Sequence, residues 1–594
     1  MSLQWVSGST FASIVKIPSY MKPWPILDTD DPLALFHAKF WGKNMADEEQ
    51  QWLNAQQASP ATGSEFGLRD QEGEERMDAV VNKKMVGDET AAVDENFMDE
   101  ATTMDPDDDI IPGCYMLDIG IDGFMLKLWI RAEYIRIFNS VNAYYDRPMF
   151  TPGAPCVVVT GQPGIGKSVW VYYALRRCLA ERKPVIWYSK DCCYLFVEEG
   201  VYKMPADFQT ANFKPFIWTL VDSDEAPEGV PPYLVPHRTP LFVIFSTSPC
   251  RGRWSRLHKT VRPIVAIMNP WKRKEILRAA SIYPLGDINE SRTNEIFDQL
   301  GPTPCLCIDY QRNYMAMSQY ERDLGTAISE VTSNNLESLL RTACSGDFGI
   351  NSMFHRIALL SRESLDNVYS QGVVIPITPY IQSRLSNRFR VLERKEHLRI
   401  YKAFARVREG RKMAGIFFEA LTQTALQEGI TLELVPMVKL DEASRGAPRW
   451  YSSHVLLTNS QLEEQCKVAL MRQLKININP IRMEEFPDNK CLSLAHNVMY
   501  VPEVENKVAL NSFIWLNEEL FIFQFTVEET YNIKWGLLDF FKKYVAPPPS
   551  PSSWKILFII EPKQKLICSQ PQIATLGEMG MYSAVVDVKG LSVA

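Results

Sequence analysis

The sequence of 594 residues lacks any run of about 18 uncharged apolar residues, the length that a membrane-spanning helix needs. Its first 25 residues also lack the basic end and following apolar core with which an export signal begins. We therefore expect an intracellular protein, nuclear or cytoplasmic, that has no membrane partner.

Metal-binding patterns of Cys and His are missing as well. The 12 Cys include no CxxC pair, and the seven His occur singly. Zinc sites bring such residues together at short spacings. The pattern argues against a zinc site and favours a reducing compartment, in which most of the Cys fill the core.

The chain has little net charge, −8, but that charge is unevenly distributed. Residues 46–109 hold 19 acidic and 4 basic residues, a net charge of −15. The same region is poor in aromatic residues, and so it buries too little apolar surface to offset the entropy lost on ordering. We predict an acidic disordered tether at 45–112, preceded by an N-terminal segment at 1–44 to which the sequence assigns no role.

From residue 113 onward, short β-branched runs alternate with segments of helical period, a pattern typical of an α/β fold with a parallel sheet. It predicts a core domain at 113–285, a helical lid at 286–370 and a further α/β domain at 371–594. The helical pattern itself extends from 272 to about 363. A helix is predicted at 124–141, and strands are predicted at 157–160, 185–188, 216–221, 241–246 and 264–268.

Residues 161–168 read GQPGIGKS and match the pattern G-x-x-x-x-G-K-[ST] between a strand and a helix. In such a P-loop the backbone N–H groups wrap the phosphates, while Lys167 would reach the β and γ phosphates and Ser168 would ligate Mg²⁺. The motif predicts a P-loop NTPase that uses ATP or GTP. The sequence shows no base-reading motif that would decide between the two nucleotides. The predicted nucleotide contacts are Gly161, Gln162, Pro163, Gly164, Ile165, Gly166, Lys167, Ser168 and Val169.

A P-loop also needs an acid at the end of a neighbouring apolar strand, and Asp222 supplies it. Asp222 is the predicted partner of Ser168 in holding Mg²⁺. Asp224 or Glu225 would polarise the attacking water, although an exposed acidic turn after a strand is an equally common explanation.

The next strand ends in a polar run in which Thr247 would sense the γ phosphate, and a solvated loop is nearly as good an explanation. Arg251, Arg253 and Arg256 follow it directly. One of them would contact the γ phosphate in cis or from a neighbouring subunit of a nucleotide-dependent homo-oligomer, and a basic surface loop is the alternative.

The loop GQPGIGKS, together with LWIRAEY, IWTLVDSD, FSTSP and NPWKRKEI, resembles the NTPase module of the Crinkler and retrotransposon-hot-spot superfamily. The resemblance covers about residues 113–365. It implies a C-terminal α/β domain like a restriction endonuclease, of PD-(D/E)xK type. It also implies an ATP-coupled effector or selfish-element protein that acts on DNA in the nucleus.

In the resembling nucleases, one hairpin strand carries an Asp and the next an acid or Gln followed by Lys. Here the hairpin predicted at 508–527 carries Asn511 and Gln524, Lys534 lies beyond it, and Glu419 lies in a preceding helix. These four are the candidate nuclease residues. Because Asn511 is neutral where Mg²⁺ prefers a carboxylate, an active nuclease and a degenerate nucleic-acid-binding domain both stay open.

Residues 384–412 contain 11 basic and 3 acidic residues, a net charge of +8. Such density, with aromatic residues between, suits contacts to the phosphates of DNA, and a solvated helix face is the alternative. A third interpretation is a STAND-like scaffold that oligomerises on nucleotide. The predicted DNA contacts are Arg384, Arg388, Arg394, Lys395, Arg399, Lys402 and Arg406.

Overall fold

The protein was analysed as a computed structural model. It describes residues 10–16, 23–47, 49–50, 115–118, 127–146, 156–236, 239–260, 263–282, 289–332, 355–390, 394–406, 411–440, 449–454, 460–486, 491–502, 511–533, 540–541, 545–546, 550–569 and 579–588. The predicted tether at 45–112 lies almost wholly outside the described residues, and so does Lys534.

The first described elements are two short helices, α1 (Phe11–Ile14) and α2 (Pro32–Phe40). They are followed by the antiparallel strands β1 (Tyr115–Asp118) and β2 (Lys127–Ile130), and by helix α3 (Ala132–Tyr145). The helix predicted at 124–141 is therefore wrong in its first half. Residues 127–130 form a strand because pairing with β1 buries their apolar side chains.

A seven-stranded sheet forms the centre of the first half of the chain, in the order β6-β5-β4-β7-β8-β3-β9. The strands β4, β7, β8, β3 and β9 are parallel to one another. Strand β5 pairs antiparallel with β4, and β6 pairs antiparallel with β5. All five predicted strands are confirmed, and the β5–β6 hairpin was not predicted. The bounds are β3 (Val157–Gly161), β4 (Val185–Ser189), β5 (Cys192–Val197), β6 (Gly200–Lys203), β7 (Ile217–Asp222), β8 (Leu241–Ser246) and β9 (Ile264–Met268).

The described part of the N-terminal segment packs against this sheet. Asp31 caps α2 by accepting a hydrogen bond from the N–H of Leu33 at 2.8 Å. The buried Nε2 of His37 lies 2.7 Å from the carbonyl oxygen of Val197 in β5. Residues 23–47 are thus part of the first folded unit, although the sequence assigned them no role.

The described residues between 167 and 332 also form the helices α4 (Lys167–Ala180), α5 (Ser255–Thr260), α6 (Arg273–Ile282), α7 (Glu290–Leu300) and α8 (Tyr314–Ser329). The last three agree with the helical pattern predicted from 272. That pattern is wrong near its end, because β10 (Ala358–Arg362) pairs antiparallel with β11 (Gly372–Pro376). Every residue of β10 is buried, which only tertiary contacts explain.

The C-terminal part begins with three helices, α9 (Pro379–Arg390), α10 (Arg394–Ala405) and α11 (Arg411–Glu428). They pack beside a mixed eight-stranded sheet in the order β15-β12-β23-β21-β19-β18-β17-β16, with a smaller sheet in the order β13-β14-β22-β20. Helix α12 is Ser460–Met471. The strands are β12 (Ile430–Pro436), β13 (Val438–Leu440), β14 (Arg449–Tyr451), β15 (Leu474–Ile478), β16 (Arg482–Phe486), β17 (Val498–Pro502), β18 (Ser512–Leu516), β19 (Glu519–Phe525), β20 (Thr530–Asn532), β21 (Trp554–Ile560), β22 (Ile567–Ser569) and β23 (Gly580–Val585).

The predicted hairpin is confirmed as β18 and β19, with a two-residue turn at Asn517 and Glu518. Both residues have positive φ, 51° and 63°, as the tightest hairpin turns require. One continuous apolar cluster extends from β3 and α4 through α9–α11 to one face of the eight-stranded sheet. Of the helices that the structure describes, none combines the length and apolar character needed to cross a membrane.

Candidate functional site

The glycine-rich loop, residues 161–168, connects β3 to α4 and lies in a tight cradle. Gly164 and Gly166 have φ of 79° and 89°, a backbone region that L side chains rarely adopt. A Cβ on Gly166 would lie 2.0 Å from the hydroxyl oxygen of Tyr134, and one on Gly164 would lie 2.7 Å from Cγ2 of Thr303. Both positions therefore require glycine, and the turn that carries Thr303 covers the loop.

The ammonium group of Lys167 is held against the loop itself. Its Nζ donates to the carbonyl oxygens of Gly161 at 3.1 Å and Gln162 at 2.8 Å. Burial lowers the pKa of Lys167 to about 8, against the opposing effect of Asp222 and Asp224. A buried cation at the mouth of a glycine-rich loop is a group that a phosphate would stabilise.

The predicted magnesium residues meet at the carboxyl ends of the parallel strands. The Ser168 hydroxyl donates to Oδ2 of Asp224 at 3.0 Å, and the N–H of Asp224 donates to Oδ1 of Asp222 at 3.3 Å. Asp222 ends β7 with 6% of its surface exposed, and burial raises its pKa to about 6. These oxygens are hard ligands of the type that Mg²⁺ prefers.

Protein carboxylates alone would not complete a metal site here. Among the described residues, no group of three or more His, Cys, Asp or Glu side chains could hold a metal ion. Mg²⁺ commonly keeps waters and shares one or two carboxylates with substrate phosphates. The pair of Ser168 and Asp222 fits that mode of binding.

The two candidate acids for activating water differ in position. Asp224 is exposed and contacts Ser168, whereas Oε2 of Glu225 accepts a hydrogen bond from the N–H of Lys190 at 2.7 Å. Lys190 and Asp191 both have positive φ, so Glu225 supports a strained turn between β4 and β5. Of the two acids, Asp224 is thus the one placed beside the loop.

The proposed sensor residue Thr247 directly follows β8. Its side chain is fully buried, and its Oγ1 has no hydrogen-bond partner among the described residues. A buried hydroxyl without a partner costs free energy, and a hydrogen bond to a phosphate would offset that cost. The half-buried Arg253 lies close enough for its charge to lower the pKa of Lys167, while the side chain of Arg251 lies outside the described residues.

Two residues that sequence reasoning missed hold the loop from outside. The Tyr134 hydroxyl donates to the carbonyl oxygen of Gly166 at 2.9 Å, and the Trp271 indole Nε1 donates to that of Ile165 at 2.8 Å. They lie in the segments LWIRAEY and NPWKRKEI. The sequence signal that could have identified them is that each of these segments has an aromatic residue next to a charged one.

Gln162, a predicted nucleotide contact, directs its side chain to β10. Its Nε2 donates to the carbonyl oxygen of Ala358 at 3.1 Å, and its Oε1 accepts from the N–H of Leu360 at 3.2 Å. Only the main chain of Gln162 is therefore left for a nucleotide, while its side chain ties the loop to the β10–β11 ribbon.

A buried ionic network lies behind the loop. Arg131 pairs with Glu275 at 3.1 Å, and Glu133 receives two hydrogen bonds from the guanidinium of Arg362. All four residues are buried. Burial opposes ionisation, but Arg362 and Arg131 hold the pKa of Glu133 below its ordinary value. The network joins α3, α6 and β10, the elements that contact the loop.

The candidate nuclease residues that the structure describes, Glu419, Asn511 and Gln524, lie in a hydrogen-bonded cluster with a single carboxylate. Glu419 on α11 accepts from Nδ2 of Asn511 at 3.1 Å and from Nε2 of Gln423 at 3.0 Å. Oδ1 of Asn511 accepts from the N–H of Phe525 at 3.2 Å, and Oε1 of Gln524 accepts from the Tyr531 hydroxyl at 2.6 Å. Glu419 is the one carboxylate of this cluster and the oxygens beside it belong to amides, so the set carries less negative charge than the carboxylates that a nuclease uses to hold Mg²⁺.

Among the seven predicted DNA contacts, Arg384, Arg388 and Arg394 lie against other parts of the chain. The guanidinium of Arg384 lies 5.7 Å from the Tyr380 ring centroid, and Arg388 donates to the carbonyl oxygen of Ser329 at 3.2 Å. Arg394 pairs with Glu428 at 3.0 Å. These arginines therefore contribute to the packing of α9 and α10.

The other four basic residues follow a helical spacing of three or four along α10. Lys395, Arg399 and Arg406 are exposed, and Lys402 is half-buried. The intervening aromatic residues, among them Tyr401 and Phe404, are fully buried in the core and are not available to stack on bases. We call the set Lys395, Arg399, Lys402 and Arg406 the basic face of α10.

Comparisons with known proteins give a partial match. No protein-family model matches the chain. Crinkler effector protein 16 of Phytophthora infestans is 31% identical over 228 residues, which are 37% of this chain and 31% of that protein. Crinkler effector protein 15 of the same organism is 32% identical over 191 residues, 31% of this chain and 28% of that protein. The chain is thus homologous to Crinkler effectors over about a third of its length and spans less than a third of each relative.

Proposed function

We propose that the chain is an NTPase, using ATP or GTP with Mg²⁺, that belongs to an effector protein of the Crinkler type. The single observation that carries the proposal is the position of Lys167, whose buried ammonium lies on the carbonyl oxygens of Gly161 and Gln162. A cation at that place would meet the β and γ phosphates of a nucleotide that the loop N–H groups surround. The homology to Crinkler effectors supports the effector class.

A bound nucleotide would supply the scissile phosphate, and Mg²⁺ would neutralise charge on its oxygens. Ser168 and Asp222 would hold the metal, the second through water because it ends β7, which β8 separates from the loop strand β3. Asp224, exposed beside Ser168, would accept the proton of the attacking water. Thr247, whose buried hydroxyl has no hydrogen-bond partner among the described residues, would sense the γ phosphate.

Lys167→Ala tests the NTPase. We expect this variant to lose nucleotide binding and hydrolysis, because no other buried lysine is placed on the loop among the described residues. Lys183→Ala is the matched control, since Lys183 is a buried lysine of the same unit that donates to Oδ1 of Asn142 at 2.7 Å. Equal hydrolysis by wild type and Lys167→Ala would refute the site.

A second function is favoured for the C-terminal part: a DNA-directed domain of nuclease-like ancestry that does not cut. The amides on both oxygens of Glu419 support the loss of cutting. The basic face of α10 supports contact with nucleic acid. We expect salt-sensitive DNA binding and no Mg²⁺-dependent plasmid cleavage, with or without nucleotide. Cleavage that Glu419→Ala abolishes would contradict this assignment.

A further inference from the structure

The carbonyl oxygens of two consecutive loop residues are each held by an aromatic side chain from another segment. Tyr134 of α3 binds the carbonyl oxygen of Gly166, and Trp271, which precedes α6, binds that of Ile165. The same Gly166 oxygen accepts the helical hydrogen bond from the N–H of Trp170 at 3.0 Å. The loop is thus held at the point where it becomes α4.

Holding these carbonyls fixes the direction of the neighbouring N–H groups. In a planar trans peptide the C=O of one residue and the N–H of the next point in opposite directions. Binding the Ile165 carbonyl on the outer side therefore directs the N–H of Gly166 inward. Binding the Gly166 carbonyl does the same for the N–H of Lys167. Inward N–H groups are what a glycine-rich loop uses to bind phosphate.

The backbone segments that carry the two aromatic side chains are themselves held by buried contacts. The Arg131 guanidinium donates to the carbonyl oxygen of Asn269 at 3.1 Å and to that of Pro270 at 2.7 Å. Its carbon lies 4.8 Å from the Trp271 ring centroid. The indole of Trp170 in turn donates to the carbonyl oxygen of Tyr134 at 3.1 Å. Neither Tyr134 nor Trp271 can leave the loop without breaking buried contacts.

We propose that Tyr134 and Trp271 are positioning residues that preset the glycine-rich loop for phosphate, a role that rests on the proposed nucleotide binding. They act through the loop backbone and make no contact with the nucleotide. Gly166 is the matching requirement on the loop side, because any side chain there would displace the Tyr134 hydroxyl.

Tyr134→Phe tests the proposal by removing one hydroxyl and leaving the ring. The matched control is Tyr145→Phe, because Tyr145 lies on the same helix and donates to a carbonyl oxygen, that of Phe216, at 2.6 Å. We expect Tyr134→Phe to weaken ATP-analogue binding about tenfold, the effect of one lost hydrogen bond. We expect Tyr145→Phe to leave affinity within about twofold of wild type while lowering the melting temperature comparably.

A second measurement needs no nucleotide. Hydrogen exchange of the backbone amides at 164–168 should speed up in nucleotide-free Tyr134→Phe and in Trp271→Phe, and stay unchanged in Tyr145→Phe. Unchanged exchange in Tyr134→Phe, or equal affinity losses in the two tyrosine variants, would overturn the proposal. If wild type bound no nucleotide, the proposed function would fail, whereas the exchange data would still decide whether Tyr134 holds the loop.

Discussion

The side-chain amide of Asn511 donates to Oε2 of Glu419 at 3.1 Å, across the interface between β18 and α11. An aspartate at position 511 could not make this bond, because a carboxylate has no donor. The neutral residue that weakened the nuclease interpretation is thus part of a satisfied polar cluster. The cluster stabilises the domain where an active nuclease would place two carboxylates around a metal.

Asn511→Asp should therefore destabilise the protein by about 1–2 kcal/mol at pH 7, since it removes a half-buried donor and places two carboxylates together. Repulsion raises the pKa of one carboxyl in the folded state above its unfolded value. The folded state then binds more protons, so the loss of stability should shrink as the pH falls towards 5.

Thermal melts at both pH values check this, with Asn477→Asp as the control at an exposed position on β15. Equal stability of Asn511→Asp and wild type at pH 7 would contradict the claim that the hydrogen bond from Asn511 to Glu419 stabilises the protein. A rise in melting temperature on adding Mg²⁺, found only in Asn511→Asp, would show that one substitution restores a metal site.

The buried pair of Glu133 and Arg362 should dominate the stability of the first unit. Arg362→Ala would leave the Glu133 carboxylate buried without its main partner, at a cost of about 3–5 kcal/mol. The exposed pair of Arg411 and Glu529, 3.8 Å apart, is the control, and Arg411→Ala should cost less than about 0.5 kcal/mol. Denaturant unfolding of both variants measures the difference, and equal effects would refute it.

Sequence patterns were sufficient to predict secondary structure where a segment is buried on all sides, and to locate the loop where the segment carries a short motif. The five parallel strands are continuous β-branched or apolar runs, and the loop 161–168 is defined by local spacing. Asp222 was predictable for the same reason, because it ends such a run.

Contacts between distant residues could not be read in this way. Tyr134 and Trp271 lie 32 and 106 positions from the loop carbonyls that they bind. The sequence pattern predicts helix at β10, because it does not show that Leu360 and Arg362 bond the distant Gln162 and Glu133. Likewise, only packing shows that Arg388 and Arg394 have partners within the chain.

The basic face of α10 should carry DNA binding if the C-terminal part is DNA-directed. Replacing Lys395, Arg399 and Arg406 together by Ala should weaken binding at least tenfold at low salt. It should also reduce the slope of log K against log salt by about 2 to 3, since each phosphate contact contributes about 0.9.

The control for that variant replaces three exposed basic residues outside α10 by Ala, namely Lys475, Arg482 and Lys563. Both triple variants lose the same charge, so a general electrostatic effect would weaken both alike. Equal losses in a fluorescence-anisotropy titration would therefore contradict a specific role for α10.

Nucleotide affinity should depend on pH in two limbs set by Lys167 and Asp222. Burial lowers the pKa of Lys167 to about 8, so above that pH the free protein loses the ammonium that would meet the phosphates. Binding then requires uptake of a proton, and affinity should fall up to about tenfold per pH unit. Burial raises the pKa of Asp222 to about 6, so the contribution of Mg²⁺ should fade below that pH as the carboxyl protonates.

Titrations of an ATP analogue from pH 5.5 to 9.5 test both limbs. Lys167→Arg keeps its charge over this range and should lose the upper limb, while Asp222→Asn should lose the lower one. An upper limb of equal slope in wild type and Lys167→Arg would show that another group controls binding.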